Sequence, residues 1–248
     1  MLPPHGDVAV VIPARNEADR IRATVRAAAG LPGVGILVVV DDGSTDDTAA
    51  VAGDAGASVV RHARNRGKAA AMETGAEAVR LLETGPDRAV PHHLLFLDGD
   101  LGATAAGAAP LAGPVRAGQA DMTIAVFSSR VRQGGHGFVV ALSGSGIMRA
   151  TGWRPAQPLN GQRCLTRTAF EAALPLARGW GAETGLTIDL LRQGMRVVEV
   201  EVPLEHRATG GDWRSQVHRA QQFADVARAL ASRQPGARTL LRGAPRRG

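Results

Sequence analysis

Cysteine occurs once, at Cys164, in a chain of 248 residues. One thiol excludes an intrachain disulfide framework and a cysteine-based zinc site. Tyrosine is absent and aromatic residues make up 3% of the chain, too few for the stacking platforms that hold single-stranded nucleic acid. Lysine also occurs once, at Lys68, while arginine supplies every other basic side chain except histidine. A single compact ammonium in an arginine-rich chain marks its position for attention. No apolar run reaches the length needed to cross a bilayer. Residues 1–7 lack the basic-then-apolar layout of a secretory signal, so a cytoplasmic protein is expected. The net charge is +6, and Arg238, Arg242, Arg246 and Arg247 lie in residues 235–248 with no acid among them. The remainder carries only about +2, which argues against a nucleic-acid partner. Residues 235–248 read as a disordered basic tail, either a solubility aid or a contact for anionic lipid.

What the chain has in abundance is apolar runs that end in polar loops. Residues 8–12 form a β-branched run, a buried first strand that Pro13 is expected to stop. The loop 13–17 leads into helical spacing over 18–29, closed by Gly30, Pro32 and Gly33. Residues 35–40 read as a second buried strand running into the polar loop 41–48, whose end caps a helix from Thr48. A short strand at 58–60, a turn at 64–68, a helix over 69–82 ended by Gly85-Pro86, and a buried strand at 94–97 follow. This alternation predicts a mostly parallel sheet with helices on both faces. Ligands collect at the carboxyl ends of such strands, where loops 13–17, 41–48 and 98–100 lie. Further on, the pattern predicts one short helix within 103–118, a strand at 121–126, a loop at 133–137 and a helix over 139–151. It then predicts a helix from Glu183 to Gly194, a half-exposed strand at 196–202 and a final helix over 212–233 with Phe223 and Val226 among its apolar positions. His62, His92, His93 and His136 fit no ligand spacing and read as surface or loop residues.

Asp98 and Asp100 close the strand at 94–97 with only Gly99 between them. Two carboxylates at the mouth of a buried strand repel each other and desolvate poorly. A hard divalent cation compensates, and Gly99 lets the chain turn so that both face it. Alone, the triplet reads equally well as a loop with two solvated aspartates.

Four segments change that balance: Val-Val-Ile-Pro-Ala-Arg-Asn-Glu (10–17), Val-Asp-Asp-Gly-Ser-Thr-Asp-Asp-Thr (40–48), Asn-Arg-Gly-Lys (65–68) and Asp-Gly-Asp (98–100). In this order they resemble family-2-type glycosyltransferases of the GT-A fold over roughly residues 8–210. The resemblance implies one Rossmann-like α/β domain over 1–234. It would comprise a nucleotide-binding half at 8–100, an acceptor half at 101–210 and a C-terminal helix at 211–234. It also implies a nucleotide-sugar donor, a UDP-sugar ahead of GDP-mannose. Pro13, Ala14, Arg15, Asn16 and Glu17 would line base and ribose, with Asp42 reading the base beside Gly43 and Ser44. Gly67 and Lys68 would face the diphosphate, and Asp98, Gly99 and Asp100 would form the Mg²⁺ or Mn²⁺ motif.

Residues 158–165, Pro-Leu-Asn-Gly-Gln-Arg-Cys-Leu, resemble the acceptor-side segment of polyprenyl-phosphate sugar transferases and of glucosyl-3-phosphoglycerate synthases. That likeness places Gly161, Gln162 and Arg163 at the acceptor. Residues 179–186 resemble the Gly-aromatic-Gly-x-Glu stretch of the synthases, which implies that Glu183 accepts from a sugar or acceptor hydroxyl or acts as a base, with Asp100 as its catalytic companion. A helix-capping glutamate is the plain alternative. His206 would complete the metal set with Asp98 and Asp100, and Arg207 and Arg149 would meet a phosphorylated acceptor. The Glu-Asp pair of many inverting members is missing, because Thr184 follows Glu183. The base and the stereochemical outcome therefore stay open. The acceptor is either a phosphorylated small molecule or a polyprenyl phosphate, the latter with peripheral contact at the inner membrane face. A homodimer is compatible with either. Two other functions compete: a sugar-1-phosphate nucleotidyltransferase, which wants a glycine-rich loop after the first strand, and a non-catalytic nucleotide-binding module.

Overall fold

The computed structural model describes residues 7–83, 90–127, 137–204 and 213–233, with backbone alone over 213–220. Seven strands make one sheet among these residues: β1 (Val8–Ala14), β2 (Val34–Asp41), β3 (Ser58–Arg61), β4 (His93–Phe96), β5 (Met122–Phe127), β6 (Arg163–Leu165) and β7 (Val197–Val202). Their spatial order is β3-β2-β1-β4-β6-β5-β7. β6 runs antiparallel to both neighbours, and every other pair is parallel. This is the mostly parallel α/β sheet expected from the spacing of apolar runs.

The helices are α1 (Ala18–Ala29), α2 (Thr48–Asp54), α3 (Lys68–Leu82), α4 (Ala112–Arg116), α5 (Gly137–Thr151), α6 (Arg167–Ala172), α7 (Ala182–Arg192) and α8 (Trp213–Ala231). They cover both faces of the sheet, and the two-residue period of β1 decides which side chain meets which layer. Val8, Val10 and Ile12 pack with Ile21, Val25 and Ala28 of α1 and with Leu101, Ala105 and Leu111. Ala9 and Val11 point the other way, onto Met72 and Val79 of α3, Phe170 of α6 and Leu186 of α7. Each fully buried aliphatic side chain in these layers contributes roughly 1.5–3 kcal/mol. No described helix is long and apolar enough to cross a membrane.

Several expectations need correcting. Pro13 does not stop β1, which runs on to Ala14 in register with Asp41. The Val11 carbonyl accepts from Leu97 N on the β4 side, so Pro13, two residues later, faces the same side beyond the last β4 pair, where no ladder needs its missing N–H. Residues 102–116 hold a ten-residue 3-10 helix, Gly102–Leu111, followed by α4, rather than one short helix. β6 and α6 were not anticipated. Phe223 of α8 is 48% exposed, and the buried stripe of that helix passes instead through Gln222, Val226 and Ala229. His92 is fully buried rather than superficial: its Nδ1 lies 2.8 Å from Glu83 Oε1, and Arg167 donates to the same carboxylate at 2.9 Å. That cluster ties the end of α3 to the start of β4 and to α6.

Candidate active site

Loops 13–17, 41–48 and 98–100 do converge at the carboxyl ends of β1, β2 and β4. Asn16 N donates to Ser44 Oγ at 2.9 Å, Thr45 N donates to Asn16 Oδ1 at 2.9 Å, and Glu17 N donates to Thr48 Oγ1 at 2.8 Å. Asn16 adopts φ 56°, a left-handed turn that asparagine tolerates better than most residues. The third loop is bolted to α1. Thr24 Oγ1 donates to the Gly99 carbonyl and accepts from Gly102 N, both at 2.8 Å, and Arg20 donates to the Asp100 carbonyl at 2.9 Å. A Cβ on residue 99 would lie 3.0 Å from Ala14 Cβ, so a side chain there would push loop 98–100 a few tenths of an ångström away from loop 13–17.

The second layer holds the turn at 64–67. Asp42 accepts from Arg66 N at 2.8 Å and Gly67 N at 2.7 Å, and its Oδ1 lies 2.7 Å from His62 Nδ1. The other ring nitrogen of His62 lies 3.0 Å from Thr74 Oγ1 of α3. Gly43 sits at φ 71°, and a Cβ there would fall 2.6 Å from the backbone of Arg64 and Asn65. Asp42 is thus 5% exposed, and both of its carboxylate oxygens are engaged in shaping this turn. His62, read from sequence as superficial, is a buried brace. Its only sequence signal was its place directly after a strand.

At the start of α3 the structure brings together residues distant in the chain. Lys68 Nζ lies 2.6 Å from Asp98 Oδ1 and 3.0 Å from Glu183 Oε1. Gln162 Nε2 donates to Asp98 Oδ2 at 2.9 Å. Burial alone would weaken the ammonium, but Asp98 and Glu183 outweigh it and hold the Lys68 pKa above its ordinary value. Lys68 and Asp98 remain about a quarter and a fifth exposed, whereas the Glu183 side chain is 4% exposed behind them. Gly161 is buried against this cluster. Asp100 is half-buried beside it, and Arg15 and Asn16 are exposed at the rim.

Arg163 does not face a ligand. It is fully buried, and its guanidinium donates to the carbonyls of Asn160 at 2.8 Å, Pro158 at 3.1 Å and Glu183 at 3.1 Å and to Thr187 Oγ1 at 2.8 Å. Burial draws its pKa down to about 10, still high enough to keep it charged at neutral pH. The expectation of an anion contact gives way to a bracket that fixes segment 158–163 to the first turn of α7. Arg149 is exposed on α5. His206, Arg207 and residues 235–248 lie outside the described residues. Among the described residues, no cluster of three or more His, Cys, Asp or Glu side chains is preassembled for a metal.

The comparisons agree with this geometry. Residues 9–162 match the sequence pattern of glycosyl transferase family 2. The chain is 28% identical over 215 residues to Glycosyltransferase AglJ of Haloferax volcanii, covering 85% of this chain and 67% of that protein. It is 47% identical over 70 residues to Succinoglycan biosynthesis protein ExoU of Rhizobium meliloti, where the match spans 26% of this chain and only 20% of the relative. Among solved structures, glucosyl-3-phosphoglycerate synthase from Mycobacterium tuberculosis with phosphoglyceric acid aligns at a TM-score of 0.71 and 27% identity, over 92% of this chain and 80% of that one. The same synthase with Mn²⁺, uridine diphosphate and phosphoglyceric acid aligns at 0.69 and 25% identity, over 91% and 78%. Sequence pattern, sheet order and solved neighbours together show that the chain belongs to glycosyl transferase family 2 and has the GT-A fold.

Proposed function

We propose that this protein transfers a hexose from a uridine-diphosphate sugar to a small phosphorylated acceptor, with a divalent cation bound during turnover. The observation that carries this reading is the meeting of Lys68, Asp98, Gln162 and Glu183 at one strand mouth, beside the rim made by residues 13–17. The similar synthase has been solved with Mn²⁺ or Mg²⁺ and uridine diphosphate, and with phosphoglyceric acid.

The residues fit a hard cation. Asp98 and Asp100 supply oxygen donors, and Lys68 shows that the Asp98 carboxylate already attracts a positive group. Mg²⁺ characteristically takes one or two carboxylates and completes its shell with water and phosphate oxygens. Asp98 and Asp100 would hold it, and it would supply charge neutralisation for the departing diphosphate. Loop 13–17 offers the exposed Arg15 and Asn16 and the half-buried Glu17 to the nucleoside. Lys68, first residue of α3, adds a cation to a helix N-terminus, where phosphate oxygens are favoured. Glu183, held by its backbone carbonyl bonds to Arg163 and Thr187, presents one carboxylate oxygen to the same cluster and is placed to orient or deprotonate an acceptor hydroxyl.

A lipid-carried phosphate is the second acceptor reading, favoured by Phe138, 90% exposed at the start of α5, and Met148, 41% exposed near its end. A panel of nucleotide sugars incubated with phosphoglycerate or with a short polyprenyl phosphate, with and without Mn²⁺, tests both. Metal-dependent release of uridine diphosphate only with a phosphorylated acceptor is expected. Undiminished transfer by a variant carrying Asp98→Ala and Asp100→Ala refutes the proposal.

A further inference from the structure

The chain's single lysine is already spent in this structure. Its ammonium bridges Asp98 and Glu183 at 2.6 and 3.0 Å, and Gln162 engages the other oxygen of Asp98 at 2.9 Å. Both oxygens of Asp98 are thus taken by side chains of the protein. The ammonium rests against Gly161, where a Cβ would fall 2.2 Å from Nζ, so a side chain at residue 161 would displace the ammonium from this position. Lys68 also opposes its own helix. It is the first residue of α3, where the dipole disfavours a cation. The two carboxylates offset that conflict, and an anion arriving at the same helix end would relieve it as well.

We propose that Lys68 is an exchangeable internal counter-ion. It holds Asp98 and Glu183 together, and a nucleoside diphosphate draws it away, which releases Asp98 to a divalent cation and unmasks the Glu183 carboxylate. The inference rests on the functional reading above. Its physical content is competition. An ammonium resting on Asp98 Oδ1 repels a divalent cation brought to the same carboxylate, so the cation alone binds against a resident charge. The diphosphate removes that competitor, and nucleotide and cation then bind with positive coupling beyond their direct contact. Glu183, 4% exposed, stays charge-paired until the donor arrives, which avoids leaving a buried carboxylate without a counter-charge.

The test is Mn²⁺ binding, read from the loss of the free-ion electron paramagnetic resonance signal, with and without uridine diphosphate. The proteins are the wild type, Lys68→Met and Lys68→Gln, the glutamine variant keeping a polar side chain at the cradle should methionine not fold. Lys68→Met is expected to bind Mn²⁺ alone roughly tenfold more tightly, because the competing charge is gone. It should bind uridine diphosphate alone more weakly. The factor by which the nucleotide tightens Mn²⁺ binding should fall at least roughly threefold. Lys68→Gln should move in the same directions. An unchanged or weaker Mn²⁺ affinity overturns the exchange. So does an equal gain with and without nucleotide, because a bystander ammonium acts alike in both states. A wild type that binds neither Mn²⁺ nor uridine diphosphate removes the functional reading itself, and the exchange with it.

Discussion

Thr24 offers a direct way to weaken the site without touching a ligand group. It is fully buried on α1, and its hydroxyl donates to the Gly99 carbonyl and accepts from Gly102 N, both at 2.8 Å. Thr24→Val keeps the shape and removes both bonds. One buried carbonyl and one half-buried N–H lose their partner, and leaving such groups unsatisfied costs about 1–3 kcal/mol each. A loss of about 2–3 kcal/mol is expected, or a melting temperature lower by roughly 5–10 °C for a chain of this size. Arg20 still tethers the Asp100 carbonyl, so loop 98–100 should loosen rather than detach. The half-saturating Mn²⁺ concentration should therefore rise more than that for the nucleotide sugar. Thr24→Ser keeps the hydroxyl and should retain most of the wild-type metal response. Calorimetry and metal titration of turnover measure both effects. A Thr24→Val protein that melts within a degree or two of wild type, or one that melts early with its metal dependence unmoved, refutes this account of the bolt.

Arg163→Met should cost about 3 kcal/mol of stability, because three buried carbonyls each lose a hydrogen bond, with only that of Glu183 retaining a side-chain donor in Thr187; a urea midpoint near wild type combined with a large rise in acceptor KM would instead make Arg163 a substrate contact. The hydrogen bond from Arg196, helped by its charge, holds the Asp121 carboxyl below its ordinary value of 3.8. Its contribution is therefore full above that value and lost as pH falls below it. The pair is partly exposed, so Asp121→Asn should cost less than about 1 kcal/mol at pH 7 and progressively less as pH falls below 3.8. Burial pushes the Cys164 thiol up to about 12, so iodoacetamide should label it in urea and not in the folded protein at pH 8; rapid native labelling, followed by mass spectrometry, would contradict its placement between β4 and β5.

Much of the scaffold was readable before any coordinates. The α1 boundaries at 18 and 29 follow from Ile21, Val25 and Ala28 at helical spacing and from Gly30 beyond. The apolar runs of β1, β2 and β4 are buried on both faces, which leaves a continuous signal in sequence. β6 left none: it is three residues long, begins with an arginine, and owes its place to pairing with β4 on one side and β5 on the other. The arginine itself misled, since a charged side chain in that segment reads as a contact for an anionic acceptor until its four oxygen acceptors are seen. His62 and His92 misled for the same reason, as the carboxylates that bury them come from other elements. The loops of the site were legible as separate motifs, whereas the bridge from Lys68 to Glu183 was not. Those residues stand on α3 and α7, and only the wrapping of both helices onto one face of the sheet brings them together.

The lone lysine has a practical side. Any amine-selective reagent has one side-chain target in this chain, and that target is ion-paired with Asp98 and Glu183 in the candidate site. Active-ester dyes, reductive methylation and amine-coupled sensor chips have this side chain and the terminal amine to strike, and the ion-paired, largely buried Lys68 should react after the terminal amine. The same singularity makes the residue a reporter. A single isotope-labelled lysine gives one side-chain ammonium resonance, and its shift on adding ligand reads out occupancy with no assignment needed.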